Sequence, residues 1–293
     1  MRSEKEMLEL LLKTAEEDDG VLAVFLNGSR TNKNVPRDIF QDYDVVFVVK
    51  DTSKYIENQE WINVFGERLY MQKPEELDMN LGKKIDLKKS YGYLIQLADG
   101  NRIDLHVLNM EYAKEVVLED KLTKVLLDKN NILPDIPPPS DENYWVKRPT
   151  ALEYEACCNE FWWCLNNVAK GLWREEILYV MDMIDHHIRP ELKIMVTWYA
   201  GIKTNFSLSV GKSGKYLSKY IPEDIWKRFL STYVVAEVNA VWTAVFHMCN
   251  LFEDIAEVVG RELNFTYDKS QAENSVMFLK NAERLPKDAT EIL

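Results

Sequence analysis

The 293-residue chain has four cysteines and no Cys-x-x-Cys pair. Cys157, Cys158 and Cys164 share one apolar stretch and Cys249 lies in another, which excludes a disulfide framework. Buried, reduced thiols of a cytoplasmic protein are the expectation. No run of about 18 apolar residues occurs, so no membrane span is expected. The N-terminal MRSEKEMLELLLKTAEEDDG is charged and amphipathic, without the unbroken apolar core of a signal peptide. Positive charge is also scarce: 36 Lys plus Arg stand against 48 Asp plus Glu, a formal charge of −12. A general nucleic-acid binder needs a basic stripe to displace counterions, and none is present. An acidic protein instead concentrates small cationic ligands. Internal repeats and low-complexity tracts are missing as well.

What is present is an ordinary globular composition, 46% apolar and 29% charged, over a length that suits two domains. Residues Glu4 to Glu17 place Met7, Leu8, Leu11, Leu12 and Ala15 at helical spacing. VLAVFL (Val21–Leu26) and DVVFVV (Asp44–Val49) are short strand-like runs. YGYLIQL (Tyr91–Leu97) and RIDLHVL (Arg102–Leu108) flank Ala98-Asp99-Gly100-Asn101, and Asp-Gly between alternating strands signals a hairpin. Glu111 to Asp128 reads as one helix. Four prolines at 134, 137, 138 and 139 forbid a regular helix or central strand. They mark a linker over 136–145 between a first domain, 1–135, and a second, 146–293. The second reads as helical throughout, its clearest stripe running from Trp226 to Val259 as one long helix or two end to end.

The sharpest local feature is Leu26-Asn27-Gly28-Ser29-Arg30, followed by Asp42-Tyr43-Asp44 and a strand. A glycine closing a strand lets backbone approach a phosphate closely, and Ser29 offers both an N–H and a hydroxyl. Asp42 and Asp44, two apart at the start of an extended segment, project to one face. Carboxylates converging on one point call for a cation between them, and Mg²⁺ with a triphosphate suits them. Along the later strand Arg102, Asp104 and His106 share one face, opposite Ile103, Leu105 and Val107. If that strand neighbours the Asp42–Asp44 strand, three carboxylates meet, and His106 borders them.

This order of strand, Gly-Ser turn, Asp-x-Asp, strand and later Asp resembles the nucleotidyltransferase superfamily over residues 20–108. A closer resemblance spans nearly the whole chain. NGSRTN (Asn27–Asn32), FQDYDV (Phe40–Val45), FGERLYMQKPEE (Phe65–Glu76), KVLLDK (Lys124–Lys129), YWVKRPT (Tyr144–Thr150), CCNEFWW (Cys157–Trp163), AKGLWREEIL (Ala169–Leu178) and SVGKSGKYLSKYI (Ser209–Ile221) are similar to the bacterial aminoglycoside 6-adenylyltransferases, which modify streptomycin. The chain departs from the wider superfamily in carrying Arg30-Thr31-Asn32 after Gly-Ser, without the second glycine often found along that loop.

The resemblance implies an α+β fold: an N-terminal nucleotidyltransferase-type mixed sheet with flanking helices, then an all-α C-terminal domain. It implies Mg²⁺-dependent transfer of AMP from ATP to an aminoglycoside hydroxyl, with the triphosphate over Gly28 and Ser29 and with Arg30 adding a direct charge contact. Asp42 and Asp44 would hold metal. Asp104 would be either a third ligand or the general base. Two other readings stand beside it: the same architecture with a different acceptor, and a nucleotide-binding module without turnover. Clustered carboxylates that cost stability without a cation count against the module.

In the second domain, Gly211-Lys212-Ser213-Gly214-Lys215 is not a P-loop, because that pattern needs glycine where Phe206 stands. Lys212 and Lys215 are expected to contact the β- and γ-phosphates, with Tyr233 as a further ATP contact. Asn159 and Glu160, beside Phe161 and two tryptophans, suggest a carboxylate for a guanidinium-bearing substrate, with Glu160 as its contact. Asp182, Asp185, His186 and His187 lie close together, yet no third ligand nearby is spaced to complete a metal site. Surface or cap roles are expected there.

Overall fold

The computed structural model describes residues 1–292. The chain divides into two compact units, one over Met1–Asn143 and one beginning at Tyr144.

The first unit begins with helix α1 (Glu4–Glu17), opened by a reciprocal capping box between Ser3 and Glu6. Its buried face, Met7, Leu11 and Ala15, packs on the sheet, where full burial of one Leu contributes about 1.5–3 kcal/mol. Then follow β1 (Val21–Leu26), β2 (Tyr43–Val49), α2 (Ser53–Glu57), β3 (Arg68–Gln72), α3 (Pro74–Asn80), β4 (Ser90–Leu97), β5 (Arg102–Asn109), α4 (Met110–Glu119) and β6 (Lys124–Asp128). The six strands form one mixed sheet in the order β3-β4-β5-β2-β1-β6. All neighbours are antiparallel except β2 and β5, which pair in parallel with Asp44 opposite Asp104. One face buries Val45, Phe47, Ile103, Leu105 and Val107 with α1. The other buries Ala23, Phe25, Val46, Val48 and Leu108 under Ala113 and Val117 of α4.

Residues 111–128 are not one helix. Asp120 ends α4 and its Oδ1 accepts the Leu122 N–H at 2.8 Å, after which β6 pairs with β1. A short apolar run such as Val125-Leu126-Leu127 satisfies either period, and the ladder offered by β1 decides it. The proline-bearing segment packs on the first unit. Asp128 accepts the N–H groups of Ile132 and Leu133, while Ile132, Leu133 and Ile136 cover the core beneath α4.

The second unit is helical: α5 (Ala151–Trp173), α6 (Ile177–Met183), α7 (Arg189–Lys203), α8 (Glu223–Leu230), α9 (Val238–Leu263) and α10 (Lys269–Arg284). A π-helical turn, Ile184–Ile188, joins α6 to α7. Helix α5 starts on a Thr150–Glu153 capping box and packs against α6, α7, α9 and α10. Phe161 stacks on Phe252 with centroids 3.8 Å apart, and Trp162 meets both edge-on. The Trp226–Val259 stripe is two helices. Between them, the buried Arg189 guanidinium is held by the Thr232 carbonyl at 3.2 Å and hydroxyl at 2.7 Å, and Glu237 caps α9. All four cysteines are buried free thiols, and among the described residues no helix is long and apolar enough to cross a membrane.

Candidate active site

The parallel pairing of β2 with β5 is what gathers the carboxylates. In parallel register, opposite residues point to the same face, so Asp44 and Asp104 lie side by side. Asp42 joins them from the entry to β2, and carboxylate oxygens of the three lie within 4.8 Å of one another. Three like charges at that spacing repel by about 1 kcal/mol per pair even in water-like surroundings. Arg102 offsets part of this: its Nε and Nη2 grip the two oxygens of Asp104 at 2.8 and 2.6 Å. The same Asp104 hydrogen bonds, aided by the charges of Asp42 and Asp44, raise the Arg102 pKa above its ordinary value. The remaining negative charge and the all-oxygen donor set fit a hard divalent cation such as Mg²⁺.

The turn after β1 is built against this cluster. Gly28 has φ of +70°, and a Cβ there would come within 2.3 Å of Asp44 Oδ2. Both the left-handed backbone and the nearness of the carboxylate therefore demand glycine. Asn27 N–H donates to the Asp44 carbonyl at 2.9 Å, and Thr123 donates to Asn27 Oδ1 at 2.8 Å. Thr31 Oγ1 bonds the carbonyls of Gly28 and Leu122. Gly28 and Ser29 are thus fixed beside the carboxylates by β2 on one side and by the segment leading into β6 on the other.

Arg30 has a different place from the phosphate contact expected of it. Its side chain is only 6% exposed, with Nε on the Asp42 carbonyl at 2.9 Å and Nη2 on the Gln41 carbonyl at 2.7 Å. The guanidinium also lies 3.6 Å over the Tyr43 ring. It pins the loop that carries Asp42, a role invisible in sequence because it depends on where two backbone carbonyls arrive. Arg102 as the clamp on Asp104 was missed too, although its i,i+2 spacing along one strand face was a usable signal. So was Glu75, whose Oε2 accepts the Gly92 N–H at 2.8 Å and which lines, with Asn27, Ser90, His106 and Tyr112, a cavity of about 340 Å³ on the Asp104 face.

The residues expected from the helical unit sit in three separate settings within it. Lys212 and Lys215 are exposed on a turn where Gly211, Ser213 and Gly214 all have positive φ. Tyr233 is half exposed, with the Arg189 guanidinium 3.8 Å over its ring. Glu160 Oε1 meets Cys164 Sγ at 3.2 Å and His187 Nδ1 at 3.4 Å rather than an aromatic wall.

A glycine turn packed against one carboxylate of an Asp-x-Asp pair, with a third carboxylate in register on the neighbouring strand, is the apparatus of a nucleotidyltransferase. The family model described as streptomycin adenylyltransferase matches residues 1–282. An aminoglycoside 6-adenylyltransferase of Campylobacter jejuni is 40% identical over 267 residues, 91% of each chain. The Bacillus subtilis protein of that name is 38% identical over 91% of this chain and 93% of its own. A crystal structure of an aminoglycoside 6-adenyltransferase from Bacillus subtilis aligns with 97% of this chain and 100% of that one, at 32% identity and a TM-score of 0.48. The chain belongs to the streptomycin adenylyltransferase family, whose members are nucleotidyltransferase enzymes.

Proposed function

We propose that the protein transfers AMP from ATP to a hydroxyl of an aminoglycoside, the 6-hydroxyl of streptomycin, with release of pyrophosphate, and thereby confers resistance. The observation that carries this reading is the in-register pair Asp44 and Asp104, with Asp42 beside them and Gly28 packed against Asp44. Relatives named aminoglycoside 6-adenylyltransferase along nine-tenths of the chain support the choice of acceptor.

Asp42 and Asp44 would hold Mg²⁺, which when bound lowers the pKa of the attacking hydroxyl and neutralises charge on the phosphates. The Gly28–Ser29 turn receives the triphosphate, because a backbone lacking a side chain at 28 permits close approach. Lys212 and Lys215 contact the β- and γ-phosphates, and Tyr233 is a further ATP contact. Asp104 faces the acceptor hydroxyl, as a third metal ligand or as the base that takes its proton. Arg102 holds both Asp104 oxygens and so orients that carboxylate for either task.

Pyrophosphate release measured against a panel of aminoglycosides, with and without Mg²⁺, tests the reading. Release with streptomycin alone, and only with Mg²⁺, is the expected result; release with a different acceptor moves the specificity, and ATP binding without any release leaves a non-catalytic module. Asp104→Asn is expected to lower kcat by about 10²–10⁴, and near wild-type turnover in that variant would remove Asp104 from the chemistry.

A further inference from the structure

The helical unit carries a second cluster of ligand-type side chains, of different chemistry from the carboxylates. Glu160 and Cys164 stand one turn apart on α5, and the π turn brings His187 over them. Glu160 Oε1 is 3.2 Å from Cys164 Sγ and 3.4 Å from His187 Nδ1, and all three ligand atoms lie within 4.8 Å of one another. We propose that Glu160, Cys164 and His187 form a binding site for a borderline-soft divalent cation of the Zn²⁺ type, separate from the Mg²⁺-type carboxylate site.

The spacing is the first argument. Zinc bonds of about 2.0–2.1 Å to nitrogen or oxygen and about 2.3 Å to sulfur, set at tetrahedral angles, separate neighbouring ligand atoms by about 3.3–3.5 Å. The Glu160–His187 edge, 3.4 Å, already has that length, the Glu160–Cys164 edge, 3.2 Å, is a few tenths of an ångström short of it, and the Cys164–His187 edge lies within 4.8 Å. Donor chemistry is the second argument. A thiol, an imidazole and a carboxylate together suit Zn²⁺ and poorly suit Mg²⁺ or Ca²⁺, which take oxygen ligands. Accessibility is the third. Cys164 is 6% exposed and fixed by the packing of α5, whereas the Glu160 and His187 side chains are 45% and 44% exposed, so an ion has an inner anchor and an open path.

The backbone supplies an independent observation. A π turn is rare and is frequently found at functional sites. One extra residue shifts the helical phase by about 100°. Ile184–Ile188 uses that shift while keeping Ile184 and Ile188 buried, and His187 meets α5 between them. Among the described residues the cluster supplies three ligand atoms, which leaves a fourth position for water. The ion would tie the α6–α7 junction to α5. This assignment gives Glu160 a cation to hold in place of the acceptor contact expected of it, and it completes the metal set that His187 lacked among its sequence neighbours.

The test uses the full chain, stripped with a chelator and then dialysed against Zn²⁺ or Co²⁺. One equivalent of zinc per chain should be retained, and cobalt should give a near-ultraviolet thiolate charge-transfer band. Both should persist in Asp42→Asn/Asp44→Asn. Cys164→Ser, close to isosteric, should abolish the band, and His187→Asn, at an exposed position that leaves the core intact, should weaken zinc binding by more than the roughly 10–100-fold that loss of a residue merely supporting a ligand costs. At a hundredfold excess over Kd, zinc should raise the Tm of the wild type by about 5–10 °C. Absence of the cobalt band, equal zinc retention by both cluster variants and the wild type, or loss of zinc in Asp42→Asn/Asp44→Asn would each overturn the proposal; in the last case the ion belongs to the carboxylates.

Discussion

At Gly28 a single missing methyl group decides whether Asp44 can stand where it does. An alanine Cβ would lie 2.3 Å from Asp44 Oδ2, and the φ of +70° adds backbone strain to the clash. Gly28→Ala is therefore expected to displace the carboxylate and lower kcat by about 10², with far-UV circular dichroism unchanged; steady-state kinetics beside the spectrum checks this. Much of the carboxylate site was legible because its signals are local: Asp42 and Asp44 at i,i+2, Gly-Ser at a strand end, Asp104 on a strand face whose reverse is apolar. Arg30 reads in sequence as a phosphate contact because it follows the Gly-Ser turn, while in the structure its guanidinium lies over Tyr43 and holds backbone carbonyls. Glu160 and His187 were legible singly and not as a pair, since helix packing alone makes them neighbours.

At the level of elements, the N-terminal arm is latched onto the β4–β5 hairpin. Asp99, at the hairpin turn, accepts from Arg2 Nε at 2.7 Å, from the Arg2 N–H at 3.2 Å and from the Asn101 N–H at 3.0 Å. Burial disfavours its charge, but these hydrogen bonds outweigh that and hold the carboxyl well below the ordinary aspartate value. A depressed folded pKa means stabilisation that is complete above the unfolded value, near 4, and drains as pH falls through the folded one. Asp99→Asn should lower Tm at neutral pH, with the gap to wild type narrowing below about pH 4; thermal melts across pH 2.5–7 check it. Helices and the central strands were readable from period and turn chemistry. The edge strand β6 was not, because its partner β1 lies about a hundred residues earlier in the chain, while β3 and α3 lack buried stripes to announce them.

For the molecule as a whole, each unit has its own buried core, one on the two faces of a mixed sheet and one among helices. In the sequence, the four prolines at 134, 137, 138 and 139 and the helical spacing beyond them point to such a division, because a sheet and a helical bundle bury different patterns of side chains. The net charge of −12 acts at this scale too. A polycationic acceptor is drawn toward such a surface, and salt screens the attraction over a Debye length of about 8–10 Å at physiological ionic strength. If streptomycin is the acceptor, as proposed, its kcat/KM is expected to fall as NaCl rises from 50 to 500 mM, by about 10-fold or more, with kcat changing less. Initial rates across the salt series decide it.

The parallel pairing of β2 with β5 also has a kinetic consequence. The β4–β5 hairpin closes over a short turn, but bringing Asp44 beside Asp104 closes a loop that contains β3, α3 and β4. Closing longer loops costs more chain entropy, and non-local pairing slows folding. The Mg²⁺ binding proposed for Asp42, Asp44 and Asp104 should therefore be among the last properties a refolding chain acquires, after the hairpin amides are already protected from exchange. Until β5 settles in register, Asp104 is an aspartate on a hairpin; a slip of one residue would turn it to the opposite face, leaving a folded hairpin with no chemistry.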